Sequence, residues 1–294
     1  MIRVGIIGTE NSHAMAFAKI LNLPDPVTGK RPYEDVKIVG VYGAQRETAE
    51  AVKKEGAVDF IADSPEDFFG KVDAMMVTSR KGSLHYDFAM PFIRAGLPVF
   101  IDKPVTADWN QAVLLANEAK KQGVPLAGGS GCKYAWDVQL LKNKRMELEA
   151  EGKLLSGAVN FSADRDCEYD GFYFYAPHLT EIGVTVFGKD IRSVQAFESE
   201  GGIVAVLEYD RFHATLHYTK NSSVSTCVLF GKNDNYCREL DISLIYRHEV
   251  DRLVNMLRTG EMPVGYGELI QHVSVIHAVL ESLKTGKQVK VESL

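Results

Sequence analysis

The stretch Val99-Phe100-Ile101-Asp102-Lys103-Pro104-Val105-Thr106 decides how the chain is read. A short apolar run reads as a buried strand, and it delivers an acid, a lysine and a proline at its carboxyl end. A helical pattern follows, expected over Thr106 to Gln122. Open parallel sheets keep their ligands at the carboxyl ends of their strands. Taken alone, Asp-Lys-Pro is a solvated lysine after a strand with a proline opening a helix. Within a half that alternates strand and helix patterns, Lys103 is instead a cation and proton carrier at the working edge of a sheet, where a dry site lowers an amine pKa.

The alternation runs outward on both sides of this stretch. Val4 to Ile7, Gly8 and a helix from His13 to Leu23 form strand, tight turn and helix, the expected opening of a dinucleotide-binding unit. A strand Val36 to Tyr42, a helix Arg46 to Glu55 and a weak strand Phe60-Ile61 follow. Ser64 to Asp67 starts a helix with Pro65 in its first turn. Then come a strand Ala74 to Val77, a helix Leu84 to Ala95, the strand Pro98 to Ile101 and, after the long helix, a strand Val124 to Ala127. Such β-α order implies a parallel sheet covered on both faces by right-handed crossovers.

The texture changes at Gly128-Gly129-Ser130-Gly131. One helix, Ala135 to Leu148, precedes runs with strand alternation: Leu155 to Ser162, Ile191 to Glu198, Ile203 to Tyr209, His213 to Tyr218, Val224 to Phe230 and Cys237 to Ile242. Short polar gaps between them argue a mainly antiparallel sheet. Helices Tyr246 to Arg258 and Glu268 to Thr285 and a strand Val289 to Glu292 complete the pattern. The expected class is α/β, with a parallel-sheet domain over residues 1–127 and an α+β domain with a mainly antiparallel open sheet over residues 128–294.

Bulk properties narrow the function. A chain of 294 residues suits two cores, and 46% hydrophobic with 24% charged residues excludes disordered and collagen-like classes. A formal charge of −6 gives no reason to expect nucleic acid or an anionic membrane as partner. Cys132, Cys167, Cys227 and Cys237 show no C-x-x-C and no metal-ligand spacing with histidine, so reduced thiols of a cytoplasmic protein are expected and no metal site. The apolar run at the N-terminus is too short for a signal or a membrane span.

The residues with chemistry lie at strand ends. A dinucleotide fingerprint wants three glycines, and Gly8-Thr9-Glu10-Asn11-Ser12-His13 keeps only the first. Glu10 puts a carboxylate where a phosphate should lie, while Asn11 and Ser12 are good helix caps whose free N–H groups can hold an anion. After the second strand, Gly43 stands where an acid would hold a ribose diol and Arg46 could meet a 2′-phosphate, which leans toward NADP over NAD; Arg46 could equally be a solvated charge. Ser79 and Arg80, in Thr78-Ser79-Arg80-Lys81-Gly82-Ser83, suit a phosphate or carboxylate, although solvated loop charges are the commoner origin of such a run. His178 opens an apolar helix pattern ending at Phe187-Gly188, with Glu181 on the same helical face. Its imidazole can exchange a proton near neutral pH, as alcohol oxidation requires, or it can be a helix cap.

Together these residues resemble the Gfo/Idh/MocA oxidoreductase family, whose members join a Rossmann domain to an α+β substrate domain. Asp102-Lys103-Pro104 stands where that family has Glu-Lys-Pro, His85 matches its histidine after the fourth strand, and Lys133-Tyr134 matches its basic-aromatic pair. His178, ten residues before Gly188, matches the active-site histidine, with Glu181 where an acid commonly follows. The resemblance implies that Lys103 contacts nicotinamide ribose and substrate hydroxyl and that His178 is the general acid/base. With the residue readings above, the expected cofactor site is Gly8, Thr9, Asn11, Ser12, His13, Arg46, Ser79, Arg80, His85 and Asp102, with His13 more often a packed cap residue; Lys133, Tyr134, Tyr175 and Glu181 are expected substrate contacts, since a hydroxyl-rich ligand needs several polar partners against an aromatic wall. Three places depart from the family: Phe174 stands where an Asp often precedes the histidine, Arg80-Lys81 replaces Thr-Pro, and His13 replaces the third glycine.

The expected function is NAD(P)-dependent hydride transfer to or from a sugar, polyol or sugar-like carbonyl. A non-catalytic sugar or nucleotide sensor on the same scaffold is the alternative, favoured by the altered glycine turn and Phe174. A third reading keeps the cofactor bound and uses transient oxidation to drive a lyase or hydrolase step. An open antiparallel sheet leaves one face uncovered by crossover helices, so a homo-oligomer through the second domain is expected.

Overall fold

The computed structural model describes all residues, Met1–Leu294. In chain order its first elements are β1 (Ile2–Ile7), α1 (Ser12–Asn22), β2 (Val36–Tyr42), α2 (Arg46–Glu55), β3 (Phe60–Ile61), β4 (Ala74–Val77), α3 (His85–Arg94), β5 (Val99–Asp102), α4 (Trp109–Gln122) and β6 (Leu126–Gly129). The strands form one six-stranded sheet in the order β3-β2-β1-β4-β5-β6, every pair parallel. This is the doubly wound arrangement whose ligand edge lies at the carboxyl ends. Its strands read as continuous apolar runs because both faces are buried: Ile6, Ile7, Met75, Met76, Val77 and Ile101 are fully enclosed. Ala14, Phe17, Ala18 and Leu21 of α1 fall at helical spacing and join Val36, Ile38 and Val41 in one core.

Then follow α5 (Trp136–Ala150), β7 (Leu154–Ser162), α6 (Ala176–Phe187), β8 (Ser193–Ser199), β9 (Gly202–Glu208), β10 (His213–Thr219), β11 (Thr226–Gly231), β12 (Asn235–Glu239), α7 (Ile245–Thr259), α8 (Tyr266–Thr285) and β13 (Val289–Lys290). Seven strands order as β12-β11-β7-β10-β9-β8-β13, with β7 and β10 parallel and the other pairs antiparallel. Alternate residues face a core: Val159 and Phe161, Ile203, Ala205 and Leu207, Ala214, Leu216 and Tyr218, packed with Leu179, Ile182 and Val186 of α6 and Val275, Ile276 and Val279 of α8.

The chain divides into two compact units. The first holds residues 1–106, 110–129 and 246–269; the second holds 107–109, 130–245 and 270–294. Residues of α7, Val250, Leu253, Val254 and Met256, therefore belong to the core of the parallel-sheet unit. Several elements begin two or three residues from their expected starts, among them β6 at Leu126, β8 at Ser193, β11 at Thr226 and α8 at Tyr266. The helix expected from Thr106 starts at Trp109, residues 103–108 following the strand as irregular, bent chain. The strand expected at Cys237 to Ile242 lies at Asn235–Glu239, because the Gly231–Asp234 turn, closed by the Gly231 N–H on the Asp234 carbonyl, starts it earlier.

Candidate active site

In the first unit, four strand ends supply the side chains of interest. Gly8 follows β1 with φ +104°, and a Cβ there would stand 2.2 Å from the Ser79 backbone nitrogen. The glycine is thus required by the close approach of two turns. Asn11 caps α1, its Oδ1 accepting from the His13 N–H at 3.4 Å, and the first turn of the helix carries no acid. Thr9 Oγ1 lies 2.7 Å from Thr48 Oγ1.

Glu10 is turned onto Arg80. Its Oε1 accepts the Arg80 backbone N–H at 3.1 Å, and the Arg80 guanidinium donates to the Glu10 carbonyl. The carboxylate therefore comes accompanied by a cation. Glu10 Oε2 and the Ser79 hydroxyl are buried without hydrogen-bond partners. Unpaired buried polar atoms are costly, and at a ligand edge they mark where a ligand completes the bonding. An acceptor-rich pyrophosphate suits the hydroxyl and the helix N–H groups, and a ribose hydroxyl suits the carboxylate oxygen. The residues present fit a dinucleotide.

At the end of β5, Asp102 is fully buried and Lys103 is 4% exposed. His13 Nδ1 stands 2.6 Å from Asp102 Oδ2, Asn11 Nδ2 donates to the same oxygen at 3.3 Å, and the Lys103 N–H donates to Oδ1 at 2.7 Å. Burial alone would raise the Asp102 carboxyl, but His13, by charge and hydrogen bond, with Lys103 and His85 behind it, holds it below the ordinary carboxylate value. His13, in the third-glycine place, thus packs edge-on against Phe17 and Tyr246 and anchors the acid next to Lys103.

Two residues of the expected cofactor set have other partners. His85 is fully buried, Nδ1 lying 2.6 Å from the Pro104 carbonyl and Nε2 2.8 Å from the Ser79 carbonyl. Both ring nitrogens are engaged, so His85 braces the turns after β4 and β5 and has none to offer a ligand. Burial pulls its pKa down, opposed by the Asp102 charge and the two carbonyls. Arg46, at the start of α2, pairs with Asp63 at 3.0 Å and Glu50 at 3.7 Å on the surface.

In the second unit, the turn Gly131–Tyr134 and the start of α6 bring the rest together. Glu181, on α6, is 5% exposed, as is Lys133. The Lys133 ammonium donates to Glu181 Oε2 at 2.5 Å, and Oε1 accepts the Ser130 N–H at 2.6 Å, with His272 Nδ1 at 3.5 Å. Both carboxylate oxygens are occupied from within the protein. Glu181 therefore positions Lys133, whose Nζ also lies 5.2 Å from the centre of the Tyr134 ring. His178 packs on Phe161, and its Nδ1 lies 2.7 Å from Ser130 Oγ and 3.6 Å from Cys132 Sγ. Tyr175 is 42% exposed and packs edge-on to Phe174. Ser130 and Cys132 are residues that sequence reasoning missed: in Gly-Gly-Ser-Gly-Cys both look like turn and filler.

Residues 2–130 match the model of the oxidoreductase family with NAD-binding Rossmann fold, Gfo/Idh/MocA. Among curated proteins no sequence matches the chain. Solved structures match along its whole length. A probable dehydrogenase from Thermotoga maritima is 16% identical over 99% of each chain with a TM-score of 0.80. The scyllo-inositol dehydrogenase from Lactobacillus casei, with bound NAD(H) and scyllo-inositol, is 14% identical over 99% of each chain with a TM-score of 0.82. The WlbA dehydrogenase from Bordetella pertussis, in complex with NADH and UDP-GlcNAcA, is 18% identical over 99% of each chain with a TM-score of 0.79. At these identities the likeness is one of fold. Residues 2–130 are thus similar to the Gfo/Idh/MocA oxidoreductase family with its NAD-binding Rossmann fold, and the chain shares the fold of these dehydrogenase structures.

Proposed function

We propose that the chain is an NAD-dependent dehydrogenase or reductase acting on a sugar, polyol or sugar-like carbonyl. The observation that carries this reading is the set of unmet polar atoms around the first turn. These are the partnerless Ser79 hydroxyl and the partnerless Glu10 Oε2, both in the unit that matches an NAD-binding family. When bound, nicotinamide exchanges a hydride with a substrate carbon. Lys103 offers positive charge to the alkoxide that develops, and His178 exchanges the proton of the reacting oxygen. Lys133, Tyr134 and Tyr175 give a hydroxyl-rich ligand polar partners against aromatic rings, and Glu181 acts through Lys133. Similar structures include one named a scyllo-inositol dehydrogenase and a dehydrogenase in complex with UDP-GlcNAcA, which supports this substrate class.

The surface pairing of Arg46 with Asp63 and Glu50 weakens the sequence's reason for favouring NADP, and we take NAD as the coenzyme. Titration by nicotinamide fluorescence tests this. NADH should bind saturably and NADPH at least about tenfold more weakly, a difference of about 1.4 kcal/mol. Failure of both to bind removes the redox reading and leaves the sensor, which the carboxylate of Glu10 in the glycine turn favours.

The seven-stranded sheet presents an open face. Phe197, Val204, His217, Asn160 and Thr226 form one cross-strand row on it, and Phe197 and Phe230 are 56% and 36% exposed. Such a patch is the place for self-association, so a homo-oligomer forms through this face. Light scattering at micromolar concentration should report a dimer or larger, and a monomer there counts against the assignment. The four cysteines are free thiols and no helix is long and apolar enough to cross a membrane; a reducing, cytoplasmic setting accords with the thiols.

A further inference from the structure

The Ser130 hydroxyl has two partners, and they are of opposite kind. Its oxygen accepts the Cys132 backbone N–H at 3.2 Å and lies 2.7 Å from His178 Nδ1. Ser130 is fully enclosed, so its proton cannot be given to water. A buried hydroxyl has one proton to donate and leaves a cost if it does not. The Cys132 N–H is a donor and cannot take it. The His178 Nδ1 lone pair is the acceptor that remains.

We propose that Ser130 is a positioning residue for His178, fixing the neutral ring as the tautomer protonated at Nε2. The neighbours that hold Ser130 support this geometry. Its backbone N–H is pinned on Glu181 Oε1 at 2.6 Å, and Glu181 is in turn neutralised by Lys133, so the serine is held from both ends. Phe161 of β7 packs on the ring at a centroid separation of 5.4 Å and carries no charge. Cys132 Sγ, at 3.6 Å from Nδ1, is a weak partner beside the hydroxyl.

The consequence for chemistry rests on the dehydrogenase reading above. A neutral ring held in this way offers an N–H at Nε2 and no lone pair there, so it polarises a substrate carbonyl oxygen as a hydrogen-bond donor, which suits the reduction direction, and it does not take an alcohol proton at Nε2 in this form. Hydrogen bonding to the neutral form also disfavours the imidazolium. The Cys132 thiol lies 3.6 Å from the ring, and Glu181, three residues on along α6, is paired with Lys133 and lies 3.5 Å from His272 Nδ1.

The tautomer can be read without turnover, by ¹⁵N and ¹³C chemical shifts of the His178 ring in the intact protein, assigned by difference from His178→Gln. The wild type should show the Nε2–H form. In Ser130→Ala the ring should gain Nδ1–H population and titrate at higher pH, while Cys132→Ala leaves both nearly unchanged. An Nδ1–H ring in the wild type overturns the proposal, as does a Ser130→Ala titration that moves down or stays in place. Absence of any dinucleotide binding sinks the dehydrogenase reading and leaves these ring shifts to be judged separately. With a substrate in hand, Ser130→Ala should lower kcat about tenfold or more while NADH affinity holds, and Ser130→Thr should restore most of the loss.

Discussion

Lys103→Ala is expected to lower kcat about 10³-fold while the dissociation constant for NADH changes by less than about threefold, since removing one charge aimed at a developing oxyanion costs about 10²–10³ in rate. The expectation comes from how the lysine is placed. It is 4% exposed at the carboxyl end of β5, and its own backbone N–H is tied to the Asp102 carboxylate, itself held by His13 and Asn11. An ammonium at such a position has lost part of its hydration before substrate arrives and needs little reorganisation when charge develops. Lys103→Arg separates charge from proton exchange. A guanidinium keeps the cation but does not give up a proton near neutral pH, so recovery of most of the rate by Arg makes Lys103 an electrostatic group, and no recovery makes the amine's proton or its compact shape essential. Equal loss of NADH affinity and turnover in Lys103→Ala makes the residue part of the cofactor cradle. Wild-type turnover sinks the assignment.

The half of the chain around Lys103 is legible because apolar runs and turn residues punctuate it sharply. Val36–Tyr42, Arg46–Glu55 and Ala74–Val77 are bounded in the structure as their patterns suggest, each an apolar run or charged helix closed by Gly, Ser or Pro. What the pattern does not carry is which core a helix joins. The apolar face of α7, with Val250, Leu253 and Met256, has the same period whether it packs on the nearer sheet or on the one far back in sequence, and it packs on the latter. The boundary at residue 127 therefore has no means of including residues 246–269.

Side-chain roles follow the same logic. Lys103 and His178 stand out in the sequence through their place in the larger pattern and through the family resemblance, not through their residue types alone. His85 and Glu181 look equally chemical in the sequence, yet both are consumed by internal partners. Occupancy of a polar atom is a three-dimensional fact, and no spacing rule reports it. Ser130 is the converse case: a residue common in turns becomes informative only when its hydroxyl is found enclosed with one available acceptor.

Glu181→Gln separates the two remaining roles for that carboxylate, and the expected effect is on stability. Lys133 and Glu181 are each 5% exposed, and their contact at 2.5 Å leaves no room for water between them. Breaking a buried ion pair by removing one partner costs about 3–5 kcal/mol, because the surviving charge loses its buried counter-charge. Gln keeps a carbonyl oxygen for the Ser130 N–H and nearly the same volume, so the loss reports the charge pair rather than a cavity. The variant should unfold at a midpoint lower by roughly 10 °C for a cooperative unit of this size. Adding Lys133→Met should recover most of that loss, since replacing both charges by groups of similar shape removes the uncompensated ion. The double-mutant cycle measures the coupling directly. Moderate salt should change the coupling little, as a buried pair is poorly screened. If instead Glu181→Gln leaves the stability within about 1 kcal/mol of wild type, the pair behaves like a solvated one. A raised KM for the sugar-like substrate in that same variant would then place the carboxylate on the substrate and not on Lys133.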